Sequence, residues 1–372
     1  MTGPRLTRLA QTLPSDVPFI GPEEQERTMG RPFRARIGAN ESVFGPSPRA
    51  VEALSAAAPE AWMYSDASNH ELIAALAEHM DARPENIVVG AGIDGLLGVL
   101  VRVLVEPGDA VVTTNGAYPT FNYHVTGFGG VLHKVPFRED REDLPALFAK
   151  AAEVDAKIVY MSNPDNPMGS WWTGREIEEA LDLIPDGTLF LLDEAYIEFA
   201  PEGTAPRIDP EDPRVIRTRT FSKAHGLAAM RVGYACAAAP LIKAFDKVRD
   251  HFGMTRPGQE AALASLNDKV WLEEVRAEAA KSKARIAKIA EANGLTPLPS
   301  ATNFVAIDCG RDGAFAKAIL DALVARGVFV RMPFAEPQNR CIRVSCGSPQ
   351  DLDVFAEVLP HAIEDAKAAQ AG

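Results

Sequence analysis

Thr188 to Tyr196, TLFLLDEAY, is an unbroken apolar run that stops abruptly at two carboxylates. Strands with one wet face alternate polar and apolar residues. The lack of alternation here predicts a strand buried on both faces, as in a parallel sheet covered by helices. The form recurs: Lys157 to Gly169 (KIVYMSNPDNPMG), Ala110 to Thr114, the start of Asn86 to Val105 (NIVVGAGIDGLLGVLVRVLV) and Val215 to Phe221 each hold a short strand-like run. Helix-like stretches separate these runs between about residues 50 and 265. The alternation predicts an α/β fold with a mostly parallel sheet sandwiched by helices. Such sheets place their chemistry at the carboxyl ends of the strands, so the polar residues that close each run are the candidates.

Thr220 to Arg231, TFSKAHGLAAMR, puts Ser222 and Lys223 at one such end, with Arg231 eight residues beyond the lysine. A lysine there is either a solvated surface residue or an amine kept for a Schiff base. Beside a hydroxyl and a guanidinium suited to a phosphate dianion, the layout suits pyridoxal phosphate. Asp193 closes its run as a buried carboxylate in need of a partner, which a protonated pyridine nitrogen would be. Glu194 alternates to the other face and reads as a surface or supporting charge. Tyr196 either donates to the phenolate oxygen of the cofactor or is a half-buried tyrosine satisfied locally. Asn166 is a second donor to that oxygen. In the Gly-Ala-Gly turn before the apolar helix, the free N–H groups of Gly92, Ile93 and Asp94 offer an anion site for the phosphate, although similar turns join many strands and helices that bind nothing. Tyr118 either stacks on the cofactor ring or packs, and Trp171 and Trp172 either wall a substrate pocket or pack. Thr173 and Glu176 have capping-box spacing and open a helix.

Phosphate loop, aromatic, asparagine, aspartate, lysine and arginine follow in that order, preceded by IGANESVFGPSP and followed by CIRVSCG. With DEAYIEF and NPDNPMG between them, the chain resembles the fold-type I aminotransferases, and most closely the histidinol-phosphate aminotransferase branch, along nearly its whole length. The resemblance implies a large pyridoxal phosphate domain at 50–268 and a smaller α+β domain built from 1–49 and 269–372. It implies a homodimer in which Tyr64 reaches the cofactor phosphate of a partner subunit. Arg343 is similar to the arginine that holds the substrate carboxylate or phosphate, Arg331 to a second anion-binding arginine, and Asn40 to a residue near the same group. The implied reaction moves an amino group from histidinol phosphate or an aromatic amino acid to a 2-oxo acid such as 2-oxoglutarate. The alternative is a decarboxylase resembling threonine-phosphate decarboxylase, marked by release of CO2 without a 2-oxo acid. Met168 and Ala229 depart from the branch without consequence for the cofactor. Phe19 and Phe44 stand where the branch usually has tyrosines; losing a hydroxyl removes a hydrogen bond worth about 1 kcal/mol or more, which tilts the expectation toward an aromatic amino acid.

Composition narrows the partners. The chain has 372 residues, 47% of them hydrophobic, enough for a large core, and 51 acidic residues against 38 basic ones give a net charge of -13. Nucleic acid is not an expected partner, and too little chain precedes Ile37 for a DNA-binding module. Four cysteines without paired spacing and seven scattered histidines predict reduced thiols and no metal site. The start of the chain lacks the apolar core of a signal peptide, and no apolar run is long enough to span a membrane, so the expected location is cytoplasmic. In the last third, a long helix over Val270 to Ala292 ends at Asn293-Gly294. Strands are expected at Asn303 to Ile307, Val328 to Arg331 and Cys341 to Ser345, helices near Ala314 to Ala325 and from Gln350 to about Lys367, and a frayed tail, KAAQAG.

Overall fold

Six parallel strands and one antiparallel strand form the main sheet of the computed structural model, which describes residues 3–15 and 20–371. A two-residue strand, β1 (Ala35–Arg36), precedes them. They are β2 (Ile87–Ala91), β3 (Ala110–Thr114), β4 (Val131–Val135), β5 (Ile158–Ser162), β6 (Leu189–Asp193), β7 (Val215–Thr220) and β8 (Val232–Ala237). Their spatial order is β2-β8-β7-β6-β5-β3-β4, and β8 runs antiparallel to both of its neighbours.

Register sets what meets at the sheet edge. Asp193 lies opposite Ser162 on one side and Thr218 on the other, and Ala91 lies opposite Val232. The carboxyl ends of β2, β3, β5, β6 and β7 therefore share an edge with the amino end of β8. This gathers residues from six segments far apart in sequence.

Both faces of the sheet are buried, as the apolar runs predict. Ile158 and Tyr160 of β5, with Leu189 and Leu191 of β6, pack with Leu97, Leu100 and Val101 of the helix Gly92–Leu104. Val159, Met161, Phe190 and Leu192, one residue out of phase, pack under the helices Leu144–Val154 and Gly174–Ala180. The period of two sends each set to its own face. Thr173 and Glu176 form the expected capping box at the start of Gly174–Ala180.

A second unit holds β9 (Thr296–Pro297), β10 (Phe304–Asp308), β11 (Val328–Phe329) and β12 (Cys341–Ser345). β12, β10 and β9 make an antiparallel sheet, while β11 pairs parallel to β1 and a single bridge joins Arg331 to Arg343. Ala35 and Ile37 share the core of this unit with the helices Lys269–Ala292, Gly313–Ala325 and Pro349–Ala371, so residues from the start of the chain are built into its end.

Three expectations need correction. The final helix runs to Ala371, through the tail expected to fray; alanine, lysine and glutamine favour helix, and the Gln370 side chain accepts from Arg311 Nη1 at 3.0 Å. β11 ends at Phe329, short of Arg331, because Arg331 pairs with Arg343 and not with the continuation of β1. Glu194 is no surface charge: it is 0% exposed, and Arg217 and Arg219 of β7 both hold it at 2.9 Å. All four cysteines are buried and unbridged. Among the described residues no helix is long and apolar enough to cross a membrane.

Candidate active site

At the gathered edge lies a cavity of about 540 Å³, walled by the turns after β2, β3, β5, β6 and β7 and closed by Arg331 to Phe334 and Arg343 of the second unit. Lys223 enters from the turn after β7. Its Nζ donates to the main-chain oxygen of Asn40 at 3.3 Å and sits 5.6 Å from the centre of the Tyr196 ring. Asn40 is held in a left-handed conformation (φ 56°) by Ser345, which donates to its Oδ1 at 2.8 Å, and by Asn303, which donates to its carbonyl at 3.1 Å. Its own Nδ2 donates to Tyr196 Oη at 3.0 Å, and Asn166 Nδ2 approaches the same oxygen at 3.5 Å. Asn40 and Asn166 thus converge on the Tyr196 hydroxyl, and Asn40 also holds Lys223.

Asp193 faces the floor of the cavity. Tyr160 Oη donates to its Oδ2 at 2.9 Å and the Ala195 N–H to its Oδ1 at 3.0 Å. Burial outweighs these donors and pushes the carboxyl up to about 6, since no cation stands against it. Sequence reading did not select Tyr160. Its signal is a phenol inside the apolar strand KIVYMS: a fully buried hydroxyl requires a partner, and the period of two puts it on the face of Asp193.

At the far wall the helix Gly92–Leu104 begins without a side-chain cap, which leaves its first N–H groups to an outside acceptor. Gly92 (φ +73°) carries no Cβ where the Arg231 guanidinium lies; a Cβ there would collide with it. Arg231 donates to Ser222 Oγ at 3.2 Å and comes within 3.9 Å of the Asp94 carboxylate, which also accepts from Tyr118 Oη at 3.2 Å. Uncapped N–H groups, a hydroxyl and a guanidinium around one gap fit a phosphate, and a buried carboxylate without a cation fits a pyridinium. The residues therefore suit pyridoxal phosphate.

On the second unit's side, Arg343 is half-buried and among the described residues has neutral acceptors only: Asn166 Oδ1 takes Nη1 at 2.5 Å, Gly38 O takes Nη2 at 3.2 Å, and Nε meets no acceptor. Burial holds Arg343 and Arg331 below the usual arginine range. Arg331 donates to the Ile20 carbonyl at 2.5 Å.

Other candidates lie elsewhere. Tyr64 is 79% exposed and packs at a tilt against Phe252, off the cavity wall. Trp171 and Trp172 pack instead of walling the cavity; Trp172 Nε1 donates to the Glu142 carbonyl at 2.8 Å and its ring lies under Arg141. Phe44 packs against the Tyr196 and Phe304 cluster, so its missing hydroxyl does not open onto the cavity. Phe19 is outside the described residues.

Residues 36–359 match the family model of aminotransferase class I and II. Histidinol-phosphate aminotransferase 2 of Carboxydothermus hydrogenoformans is 33% identical over 354 residues, covering 94% of this chain and 96% of that one. A histidinol-phosphate aminotransferase of Anaeromyxobacter is 36% identical over 332 residues, 87% of this chain and 90% of that protein. The crystal structure of histidinol-phosphate aminotransferase from Sinorhizobium meliloti, in complex with pyridoxal-5'-phosphate, superposes with a TM-score of 0.94 at 50% identity and 98% coverage of both chains. The chain is a member of the class I and II aminotransferases, on the branch of the histidinol-phosphate aminotransferases.

Proposed function

We propose that the cavity binds pyridoxal phosphate and transfers an amino group from histidinol phosphate to a 2-oxo acid such as 2-oxoglutarate. The observation that carries this reading is the presence in one cavity of Lys223 and two arginines, Arg343 and Arg331, that have no carboxylate partner among the described residues. Gly92, Ile93 and Asp94 N–H groups, Ser222 and Arg231 would hold the cofactor phosphate, and Asp193 its ring nitrogen. Tyr118 would cover the ring, and Asn166 and Tyr196 would bind its phenolate oxygen. Bound there, pyridoxal phosphate supplies a carbonyl carbon for the incoming amine and a ring that accepts electrons from the substrate Cα. Lys223 Nζ then takes the α-proton and returns it, with its position fixed by Asn40. Arg343 and Arg331 remain for the anionic group of the donor and for the carboxylates of the 2-oxo acid, which explains why one pocket serves both half-reactions.

In this reading residues 50–268 carry the cofactor, while 1–49 with 269–372 carry the substrate anion sites. The exposed aromatic residues Trp62, Tyr64 and Phe252 would lie in a homodimer contact, with Tyr64 of the partner subunit completing the phosphate site. The test is the single-turnover absorbance change of cofactor-loaded protein on mixing with histidinol phosphate, phenylalanine, tyrosine or glutamate. Fastest loss of the aldehyde form with histidinol phosphate is expected. Faster conversion by an aromatic amino acid overturns the donor, and CO2 release with no need for a 2-oxo acid overturns the reaction.

A further inference from the structure

Behind the Asn166 turn two carboxylates meet with no cation between them. Glu142 lies just ahead of the helix Leu144–Val154 and Asp165 lies in the turn after β5; they are 1% and 2% exposed. Each has one satisfied oxygen. Glu142 Oε1 accepts from Ser162 N at 3.0 Å and from Ser162 Oγ at 2.9 Å, and Asp165 Oδ2 accepts from Met168 N at 2.8 Å. Among the described residues the other two oxygens, Glu142 Oε2 and Asp165 Oδ1, are buried with no donor aligned on them, although the two side chains lie within hydrogen-bonding reach of each other and the Thr114 hydroxyl, likewise buried without a partner, lies beside Glu142. Two ionised groups so placed would be acceptors face to face. One proton satisfies both, because a protonated carboxyl donates to its ionised neighbour.

The charges nearby do not relieve the pair. Arg141 is turned away over the Trp172 ring at 3.5 Å, and Asp143 caps the following helix through Ala146 N–H. Arg343, on β12, is the cation that acts on Asp165 across the turn. Burial outweighs these influences and pushes both carboxyls above their usual range.

We infer that Glu142 and Asp165 share a single proton, and that this carboxyl–carboxylate bond is the latch that fixes the Asn166 turn against β5. Asn166 in turn accepts from Arg343 and reaches Tyr196, so Glu142 is a positioning residue that acts on the cavity through Asp165. The folded state holds a proton that the unfolded chain gives up near neutral pH. Stability from the latch is complete in acid and is lost as pH rises through the raised values.

Glu142→Gln replaces the shared proton with a permanent N–H, and Asp165→Asn does so from the other side. In the whole protein without added ligand, the denaturation midpoint of the wild type should fall more steeply than that of Glu142→Gln between about pH 5 and about pH 9. In the infrared spectrum the carboxylic acid carbonyl absorption near neutral pH should be weaker in both variants than in the wild type by the share of one carboxyl, leaving what Glu198 and Asp193 contribute. With the cofactor and an amino donor, Glu142→Ala should raise KM about 10-fold and Glu142→Gln should restore it, the size expected for losing one hydrogen bond in a charged network. Parallel midpoint curves for wild type and Glu142→Gln, or an infrared band unchanged in the variants, would overturn the proposal. If Glu142→Gln does not fold, Asp165→Asn carries the same comparison. The denaturation and infrared readouts need no substrate, so their failure is distinct from a failure of the proposed reaction.

Discussion

Asp193 and Glu194 are consecutive and both buried, yet β6 sends them to opposite faces of the sheet and into opposite electrostatic settings. Glu194 is closed in by Arg217 and Arg219; burial alone would raise its pKa, but the two guanidiniums more than offset that and hold it below the usual range. Asp193 has neutral donors only and is pushed up to about 6. The same contrast separates two arginines at the ends of one short stretch. Arg340 is held by Asp140 at 2.6 Å and Asp308 at 2.7 Å, whereas Arg343 has neutral acceptors and an unpartnered Nε. Saturated charges brace the fold; of the charges left short of a partner, those that line the cavity, Asp193 and Arg343, mark where a ligand would complete the bonding. Substitutions in the two sets should therefore fail in different ways.

The largest effect is expected at the cavity's amine. Lys223→Ala should reduce steady-state transamination by more than about 10³-fold, because no other amine lines the cavity among the described residues. Its unfolding midpoint in urea should match the wild type, since the lysine makes a single long hydrogen bond at 3.3 Å. A Lys223→Ala enzyme that turns over at wild-type rate would remove this residue from the chemistry.

Glu194→Ala tests the saturated set. It leaves Arg217 and Arg219, each with a side chain 11% exposed, without their shared carboxylate, and a buried pair broken on one side costs about 3–5 kcal/mol. Urea denaturation measures this directly. A loss below about 1 kcal/mol would mean that the arginines find other partners.

Asp193→Asn gives an effect of up to about 3 kcal/mol, set by pH. In the ligand-free protein the folded carboxyl titrates at about 6 against an ordinary value of 3.8. The folded state therefore binds more protons, and the stability this group contributes is full below the ordinary value and lost as pH rises through about 6. The variant lacks that loss, so its stability relative to the wild type should grow by up to about 1.4 kcal/mol per pH unit across the window and then level off. Stability curves that stay parallel would show that Asp193 has no raised pKa in the ligand-free protein.

The contrast between the two sets was only half legible in the sequence. Lys223, Asp193, Arg231 and the helix start at Gly92 stand at strand ends, where the period and the apolar runs put them, and the fold places them on one sheet edge. Glu194 was read as either a surface or a supporting charge, and the choice stayed open because its partners lie 23 and 25 residues away on β7, where VIRTRT gives no sign that two arginines point inward. Tyr160 and Ser345 were missed for a related reason: Tyr160 satisfies Asp193 on the neighbouring strand and Ser345 satisfies Asn40 in a loop some 300 residues earlier, and neither pairing is specified by local pattern. Asn40 was reached by resemblance alone, since its positive φ and its grip on Lys223 depend on contacts some 180 and 300 residues downstream.

The smallest effect sharpens the arginine comparison. Arg343→Lys keeps a positive charge but loses the planar fork that can grip a carboxylate or phosphate with two N–H groups. Its cost should appear in kcat/KM, at about 1–3 kcal/mol or about 5- to 150-fold, mainly through KM for the anionic donor and the 2-oxo acid. Stability should hardly change, because Arg343 has no carboxylate to abandon. Arg340→Lys should do the reverse: the fork across Asp140 and Asp308 is broken, costing about 1 kcal/mol of stability in a partly exposed network, while kcat/KM stays at the wild-type value. Steady-state kinetics and urea denaturation on the same two variants decide the matter. If Arg343→Lys lost stability and kept its KM values, Arg343 would belong with Arg340 among the bracing charges, and the substrate's anionic group would have to be held by Arg331.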